Sequence, residues 1–565
     1  TEAISASHAT VHGTLNQAAC IAIAVILRDM FMVGLGEYAF VPLVVIFFSF
    51  IKFSVAIAAT TSLIALTAYF LWAKHVNEYW KRRGIPGPEP HFFFGNVLQM
   101  QRGFAEFDIK NMKKFGRFYG ASFMGFPELN VCDMDMLRQI FIEDFAAFPN
   151  RVISDFFIGN QTIRKNMVNV MTDQHWKDLR RTITPAFTPR RLEKMLPIME
   201  RCIRTAERII DDCISRSNGL LDTKKFFSNL TMDIIAQCAF GVELSIQEHQ
   251  DSLIPYHANK IFNLSFVGFR IMFLVLFPNI ARLAEKIFKF QLIGNSCDAF
   301  FEDILRKIVE ERRKCPREKD PDFLQLLMDS KEDTEVIDRD EELMHDALAS
   351  GKKIALTDME LIAQGYLFLV TGYETTANTL QFISYCLASN PQVQEIAHAQ
   401  VMDTIGHKKS IGYADLMKMP YLEQVMNETL RMYPPVPRND RKCESDITVG
   451  GIKIEKGTFV YLPTYAIHYN EHFYPNPEKF DPERFSRSEK ANRDPVAFAP
   501  FGIGPRNCIG LRLAQMEIRL ILAHLLRSFK FSVPEEFQGK LLELDTRGMT
   551  RPKTPVFVTV SRRNH

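Results

Sequence analysis

The chain has 565 residues, with 68 Lys and Arg against 66 Asp and Glu, which gives a formal net charge of +2. This balance argues against a nucleic-acid binder, which would need a concentrated basic stripe. The 10 cysteines are scattered without a Cys-x-x-Cys pair, which favours a reducing compartment and no disulfide framework. No linker rich in Pro, Ser and Gly divides the chain after about residue 85, so we expect one large catalytic domain over residues 91–565.

An uncharged run over residues 53–73 predicts a transmembrane anchor. As a helix it would span about 30 Å, the thickness of the hydrocarbon core of a bilayer. Basic residues follow the run at once, whereas Lys52 is the only base just before it, so the positive-inside rule predicts a cytosolic C-terminal part. Residues 1–52 form an N-terminal extension whose structure the sequence leaves open. Residues 74–90 are basic and rich in proline, which predicts a stiff hinge.

Trp176 and Arg180 are spaced four residues apart, so a helix would place an indole donor and a guanidinium on one face. The same region is strongly basic and is a candidate docking surface for an acidic partner protein. The residues of this candidate surface are Lys177, Arg180, Arg181, Arg190 and Arg191.

A long buried helix is predicted from the capping box of Thr357 and Glu360 to Asn390, where Pro391 follows. Its length of roughly 50 Å is enough to cross a whole domain. Residues 371–376 combine a glycine, three threonines and an acid, which are poor helix formers or costly to bury, so we expect an irregular turn there. The alternative is a regular buried helix whose threonines bond back to their own backbone.

Two further elements are predicted before the last motif. A helix over residues 420–433 carries Glu428 and Arg431 one turn apart, a pair that contributes only about 0.2–0.5 kcal/mol if it is exposed. Short alternating apolar runs over residues 447–462 predict a small β-hairpin.

Residues 501–510 place Cys508 behind a glycine-rich loop and directly before a long apolar-periodic helix. At such a junction, backbone N–H groups and the positive end of the helix dipole stabilise a thiolate. Gly502 and Gly510 allow the backbone to wrap closely around the sulfur, and Arg506 adds a cation two residues away. The alternative for a lone cysteine is an inert buried thiol.

The spacing Phe-x-x-Gly-x-Arg-x-Cys-x-Gly in this segment resembles the haem-ligand loop of the cytochrome P450 family, and all five fixed positions match. Gly372, Glu374 and Thr375 resemble the oxygen-activation motif of the same family, whereas Thr371 departs from the usual small apolar residue. The chain resembles microsomal members from the anchor to its end, and its motifs are most similar to the family 3 branch of broad-specificity oxidases.

This resemblance implies a mainly α fold with small β-sheets, the cytochrome P450 fold, with a single large haem domain behind an N-terminal transmembrane helix. It implies haem b as cofactor, with Cys508 as the axial ligand of the iron. The implied cofactor contacts are Trp176, Arg180, Arg438, Arg506, Phe501, Gly502 and Gly510, with Arg151 as a looser candidate. A structural charge network is implied for Glu428, Arg431 and Arg484.

The implied activity is a monooxygenase that inserts one oxygen atom from O2 into a steroid, fatty acid or xenobiotic, with Glu374 and Thr375 relaying protons. The implied partners are an NADPH-cytochrome reductase, cytochrome b5 as a second electron donor and membrane lipid, and the implied location is the endoplasmic reticulum membrane. Two alternatives stay open: a haem-thiolate isomerase or synthase that acts on a peroxide without a reductase, and a non-catalytic haem membrane protein. The candidate substrate pocket consists of Phe156, Phe157, Phe368, Thr371, Val436 and Met549.

Overall fold

The computed structural model describes residues 55–156, 162–249, 252–262, 295–316, 322–330, 351–538 and 542–563, with isolated positions between 267 and 287. Helices dominate these residues. Those before residue 330 are α1 (Val55–Asn77), α2 (Tyr79–Arg82), α3 (Val97–Met100), α4 (Phe104–Phe115), α5 (Met134–Arg138), α6 (Ile153–Phe156), α7 (Thr162–Lys165), α8 (Asp173–Ile183), α9 (Pro189–Ser217), α10 (Thr223–Phe240), α11 (Leu253–Phe262), α12 (Asn295–Lys314) and α13 (Phe323–Met328).

The later helices are α14 (Asp358–Ser389), α15 (Pro391–Ile405), α16 (Tyr413–Met417), α17 (Pro420–Met432), α18 (Thr464–His468), α19 (Arg487–Asn492) and α20 (Leu511–Ser528). Two of the three large apolar clusters include residues of α14. The first half of the helix, up to Tyr373, belongs to one of them, and the second half, from Ala377, belongs to the other. Most residues of α14 are buried. Apolar residues on all sides of a helix are typical of one that is enclosed by the protein.

The strands are β1 (Phe118–Phe123), β2 (Phe126–Val131), β3 (Leu220–Asp222), β4 (Asn439–Lys442), β5 (Ile447–Val449), β6 (Ile452–Ile454), β7 (Phe459–Leu462), β8 (Phe529–Ser532), β9 (Leu544–Asp545), β10 (Arg551–Pro552) and β11 (Phe557–Arg562). The largest sheet has the order β1-β2-β7-β4, in which only β2 and β7 are parallel. The predicted hairpin over 447–462 is smaller than expected. Only β5 and β6 pair with each other, and β7 joins the large sheet instead.

The long helix α14 begins where the capping box predicted. The Thr357 hydroxyl accepts from the Glu360 N–H at 3.3 Å, and the Glu360 carboxylate accepts from the Thr357 N–H at 2.8 Å. The irregular turn expected at 371–376 is not formed, because α14 is α-helical from Asp358 to Ser389. Thr371 and Thr375 donate their hydroxyls to carbonyls four residues earlier, at 2.6 and 2.7 Å, so their polar groups are satisfied without breaking the helix.

The N-terminal helix α1 covers most of the predicted anchor, whose first two residues and the preceding extension lie outside the described residues. Within the described part of the chain, no helix combines the length and the hydropathy of a membrane span. Several large apolar side chains of α1 are nevertheless 43–67% exposed, namely Leu63, Ile64, Leu66, Phe70 and Leu71.

The segment after α1 is docked firmly on the domain. Arg83 donates to both carboxylate oxygens of Glu455 at 2.8 Å, and the Tyr79 hydroxyl donates to the same carboxylate at 2.8 Å. The Gly120 N–H of β1 donates to the Pro86 carbonyl at 2.8 Å. Residues 85–90 are non-helical, as their prolines predicted, and are held against β1.

Candidate functional site

The loop before α20 presents Cys508 at the end of a tight backbone path. Gly502 and Gly504 adopt the left-handed region, with φ of 74° and 72°. A Cβ on Gly504 would lie 1.9 Å from the Phe141 carbonyl oxygen, so only glycine fits there. The Cys508 N–H donates to the Phe501 carbonyl at 2.9 Å, and α20 begins three residues later. The helix predicted behind the cysteine is therefore present.

Cys508 is exposed although it lies among buried and partly buried residues. Burial nevertheless raises the pKa of its thiol, so we infer that the sulfur faces open space within the protein. The Arg180 guanidinium and the Gly510 N–H act in the opposite direction and lower this pKa, followed by Arg151. A metal cation bound at the sulfur would deprotonate it outright. The loop thus supplies cationic and N–H support for a thiolate.

Four arginines gather beside this loop: Arg151, Arg180, Arg441 and Arg506. Burial, followed by the charge of Arg151, lowers the pKa of Arg441 to about 9. Burial also lowers the pKa of Arg180 to about 10, again with Arg151 acting in the same direction. The pKa of Arg506 is held well below its usual range by burial and by the other three guanidiniums. Positive charge is therefore concentrated here, and the charged forms of Arg180, Arg441 and Arg506 are disfavoured.

This group, called the arginine cluster below, lacks acceptors for part of its donors. The buried Nε atoms of Arg151, Arg180 and Arg441 have no hydrogen-bond partner among the described residues. Buried donors without acceptors are costly, and buried like charges need an anion. A bound group with two carboxylates would supply the missing hydrogen-bond acceptors and the negative charge. Arginine binds carboxylates in a bidentate manner. The two propionates of haem b fit this cluster, with Cys508 positioned as the iron ligand.

Arg506 contributes charge and holds the loop in place. Its guanidinium donates to the Pro149 and Met171 carbonyls at 2.8 Å, and it lies 3.9 Å from the centre of the Trp176 ring. Trp176 is buried, as a stacked indole would be. Most donors of Arg506 are thus already used by the protein. These bonds fasten Pro149 and Met171 to the loop that carries Cys508.

The expectation that Arg438 contacts the cofactor is wrong. Arg438 donates to both carboxylate oxygens of Asp108, at 2.6 and 2.5 Å, and lies 3.7 Å from Glu128. Its charge is matched within the layer between α4 and the large sheet. Arg441, three residues later, belongs to the arginine cluster and was missed. The available signal was the alternation of side chains in extended chain, since Arg441 in β4 and Arg438 just before it are an odd number of residues apart and so face opposite sides.

The middle of α14 forms another part of the cavity wall. Thr371, Gly372 and Thr375 are partly exposed, although the helix on either side of them is buried. Ile509 and Leu513, beside Cys508, pack against the same apolar cluster as this part of the helix. The loop that carries Cys508 and the helical turn of Thr371 and Thr375 therefore lie next to the same apolar cluster.

Phe368 is not a free lining residue. It is 8% exposed, and its ring packs against Phe187 and Phe323, with ring centres 5.3 and 4.5 Å away. Val436 is exposed and Met549 is partly exposed, and the Thr550 N–H bonds to the Pro435 carbonyl at 2.9 Å, so the loops of Val436 and Met549 do meet. Phe157 and the side chain of Phe156 lie outside the described residues.

Glu374 has one matched and one unmatched carboxylate oxygen. Lys224 Nζ donates to Oε1 at 2.7 Å, while Oε2 is buried without a partner in the described part of the chain. The hydroxyl of Thr375 donates to the Thr371 carbonyl, so it is free to act as an acceptor. Lys224 was missed by sequence reasoning, because it is 150 residues away and follows no local motif.

Glu428, Arg431 and Arg484 are brought together as the resemblance implied. Arg431 donates to both oxygens of Glu428, at 2.7 and 2.9 Å, and both side chains are fully buried. Arg484 Nε lies 3.4 Å from Glu428, which also accepts from the Asp481 N–H at 2.9 Å. This network joins α17 to the segment before α19 and takes no part in the cavity.

The predicted basic docking surface loses one member. Arg180 belongs to the internal arginine cluster and donates to the Asn507 side chain at 3.0 Å. The remaining residues of the surface are partly or fully exposed, and are Lys177, Arg181, Arg190 and Arg191.

A cysteine on a cavity wall, a cluster of arginines that lacks an anion and a threonine-bearing helix on the same apolar cluster define a haem-thiolate site. The sequence model of the Cytochrome P450 family matches residues 85–560, and the chain belongs to this family. Cytochrome P450 3A31 of Mesocricetus auratus is 34% identical over 498 residues, which cover 88% of this chain and 95% of the hamster protein. Cytochrome P450 3A28 of Bos taurus is 34% identical over 502 residues, with 88% and 94% covered.

These relatives confirm the family 3 branch, and the chain is a cytochrome P450 monooxygenase with haem b as its cofactor. The mainly helical fold with small sheets is confirmed as well.

Proposed function

We propose that this monooxygenase inserts one oxygen atom from O2 into a lipophilic substrate, namely a steroid, a fatty acid or a xenobiotic. The observation that carries the proposal is the partly exposed turn of Thr371, Gly372 and Thr375 on an otherwise buried helix. The surrounding cluster is apolar and aromatic, which favours substrates that bury hydrocarbon surface. The hydroxyls of Thr371 and Thr375 add acceptors that would orient a polar group of the substrate.

Haem b, when bound, supplies the activation of dioxygen and the transfer of one oxygen atom. Cys508 would hold its iron, and Arg151, Arg180 and Arg441 would hold its propionates through the donors that lack partners among the described residues. Matching these charges would raise the lowered pKa values of Arg180 and Arg441 back towards the usual value of arginine. The arginine cluster would thus fix the orientation of the cofactor relative to α14.

Glu374 and Thr375 would deliver protons to the cavity. Lys224 is 28% exposed and holds one oxygen of Glu374, which supports a route from solvent to this carboxylate. The other oxygen of Glu374 is buried and has no hydrogen-bond partner among the described residues, so it is not committed to another group. Thr375 lies next in sequence and is partly exposed, so its hydroxyl is suited to pass a proton onward by exchanging its hydrogen bond to Thr371.

Electrons would come from an NADPH-cytochrome reductase, with cytochrome b5 as a second donor. The exposed positions of Lys177, Arg181, Arg190 and Arg191 support docking of an acidic protein at this face. We further propose attachment to the endoplasmic reticulum membrane with the catalytic domain in the cytosol. The exposed apolar side chains of α1 and the basic residues at its end support contact with a membrane.

The test is reconstitution of the full-length haem protein with NADPH-cytochrome reductase in phospholipid vesicles. Steroids, fatty acids and xenobiotics are then offered under labelled O2, and products are analysed by mass spectrometry. We expect one labelled oxygen atom in the product, with strict dependence on NADPH and reductase. Labelled product from none of the three classes would overturn the proposed substrates.

A second candidate is an isomerase or synthase that rearranges a peroxide. It is favoured by the orientation of Glu374 towards Lys224 and by the bond of the Thr375 hydroxyl to its own helix, since such a reaction needs no proton relay. Turnover of a lipid hydroperoxide without NADPH, O2 or reductase would support it. Absence of that turnover, with normal NADPH-dependent oxidation, would exclude it.

A further inference from the structure

A second cavity, of about 330 Å³, lies where α1 and α2 meet the large sheet. It is distant in sequence from the cysteine loop, and its walls come from the end of α1, from α2, from the proline-rich segment and from β1. The volume is within the range of about 300–1,000 Å³ typical of small-ligand sites. Its lining includes Asn77, Trp80, Lys81, Pro86 and Gly120.

Trp80 is the unusual residue of this wall. It is only 4% exposed, and its ring lies so close to Gly120 that a Cβ there would be 2.2 Å from Trp80 Cγ. Its indole N–H is buried and has no acceptor among the residues that the structure describes. Asn77 and Asn96, the buried amides of the same wall, are both hydrogen-bonded. A ligand that brings an oxygen acceptor would relieve the cost of this donor.

The position of the cavity along α1 indicates the kind of ligand. Leu71 is the last exposed large apolar residue of α1, and Asn77 at the cavity follows six residues later, about 9 Å along the helix axis. The headgroup layer on each side of a bilayer is about 5–8 Å thick. When the apolar side chains of α1 contact a membrane, the cavity therefore lies at the outer edge of the headgroup layer, where the terminal groups of the lipid headgroups reach.

The charges at the rim match a zwitterionic headgroup. Lys81 is a cation at the cavity, and Glu78 and Glu89 are carboxylates on the same lining. The ion pair between Lys81 and Glu89 is 3.2 Å long and exposed on both sides, so it is weak and opens readily. The bidentate contact of Arg83 with Glu455 keeps the wall in place while that pair opens.

We propose that this cavity binds the headgroup of a phosphatidylcholine-type lipid. A phosphate or ester oxygen of the lipid accepts from the Trp80 indole and from Lys81, and the ammonium group lies near Glu78 and Glu89. The site ties the catalytic domain to one lipid at a defined height above the membrane. It rests on the proposed contact of α1 with a membrane, and it is independent of the haem chemistry.

The test uses the full-length haem protein, extracted in detergent and supplied with dioleoylphosphatidylcholine. Native mass spectrometry counts the lipid molecules retained by wild type, Trp80→Phe and Trp72→Phe. The last is a matched control, because it removes an indole from α1 outside the cavity lining. We expect one retained lipid, about fivefold weaker retention in Trp80→Phe, which loses one hydrogen bond, and no change in Trp72→Phe.

Competition on the wild-type protein tests the same site without a variant. Soluble glycerophosphocholine should displace the retained lipid, and inorganic phosphate at equal concentration should not. Equal displacement by inorganic phosphate would make this a simple anion site and would overturn the lipid assignment. Equal loss in both tryptophan variants, or no retained lipid in wild type, would overturn it too. Flotation with phosphatidylcholine vesicles measures membrane contact separately. If Trp80→Phe floats as wild type does but retains less lipid, the lipid site is lost while membrane contact is kept.

Discussion

Two groups of buried arginines in this protein differ in one respect, which is whether a carboxylate of the described residues accepts hydrogen bonds from them. In the network of Glu428, Arg431 and Arg484, the acid accepts from the protein on both oxygens. In the arginine cluster beside Cys508, burial and neighbouring guanidiniums lower the pKa values of Arg180, Arg441 and Arg506. Three arginines of the cluster have a buried Nε without a hydrogen-bond partner among the described residues. A matched buried charge maintains the fold, whereas an unmatched group of like charges marks a place for a ligand of the opposite sign.

The matched network should be the more costly to break. Glu428→Ala leaves Arg431 buried without its partner, and we expect the free energy of unfolding to fall by about 3–5 kcal/mol. Denaturant unfolding of the haem-loaded protein measures this loss. Glu423→Ala is the control, because the partly exposed pair of Glu423 with Lys490 should contribute less than about 1 kcal/mol. Equal losses in the two variants would contradict the comparison.

Glu374 is intermediate, since one of its oxygens is matched by Lys224 and the other is not. If the unmatched oxygen serves proton delivery, Glu374→Gln should lower the turnover number by roughly 100-fold, the effect typical of a lost acid or base. The reduced carbon-monoxide spectrum should keep its thiolate character, and the stability should change little. Measured turnover close to that of wild type would remove Glu374 from the relay.

Substitutions in the arginine cluster should leave the stability of the haem-free protein intact, in contrast to substitutions in the network of Glu428, Arg431 and Arg484. Arg441→Met removes an unmatched charge, so the haem-free protein should become equally or more stable, while the haem should dissociate roughly 10 to 100 times faster. Transfer of haem to an apoglobin measures the rate. Arg438→Met is the matched control, because it breaks the pair with Asp108 and should destabilise the protein with a smaller effect on haem release. Faster haem loss in Arg438→Met than in Arg441→Met would reverse the assignment of the two arginines.

Glu128 is a buried acid whose charge is poorly matched. It shares Arg438 with Asp108, and one of its oxygens has no hydrogen-bond partner in the described residues. Burial raises its pKa from 4.5 to about 7, with Arg438 opposing and Asp108 reinforcing the shift. Since the folded state favours the neutral acid, its contribution to stability is complete below about pH 4.5 and is lost as the pH rises to about 7.

Glu128→Gln should therefore stabilise the protein by about 1–3 kcal/mol at about pH 8 and have little effect at about pH 4. Thermal unfolding at the two pH values measures this difference, with the exposed Glu89→Gln as a control. A destabilised Glu128→Gln protein at the higher pH would show that the ionised carboxylate is favourable in this position.

Local motifs predicted much of the site because each has a local physical cause. The capping box set the start of α14, and the glycines before Cys508 prescribed a tight loop in front of a helix. The irregular turn of α14 was predicted wrongly, because propensity does not reveal that the threonine hydroxyls find acceptors within the helix. The hairpin over 447–462 was overextended, because β7 pairs with β2, a strand more than 300 residues earlier.

The sequence by itself determined the family, the cysteine that faces the cavity and the acid and threonine on the long helix, since these depend on residues a few positions apart. Only the tertiary structure decided which arginines have partners. Arg438 was paired with Asp108 across 330 residues, and Arg441 was turned to the arginine cluster. The reason is that a buried charge is governed by the acceptors that folding brings within about 3 Å of it, and those acceptors come from distant segments.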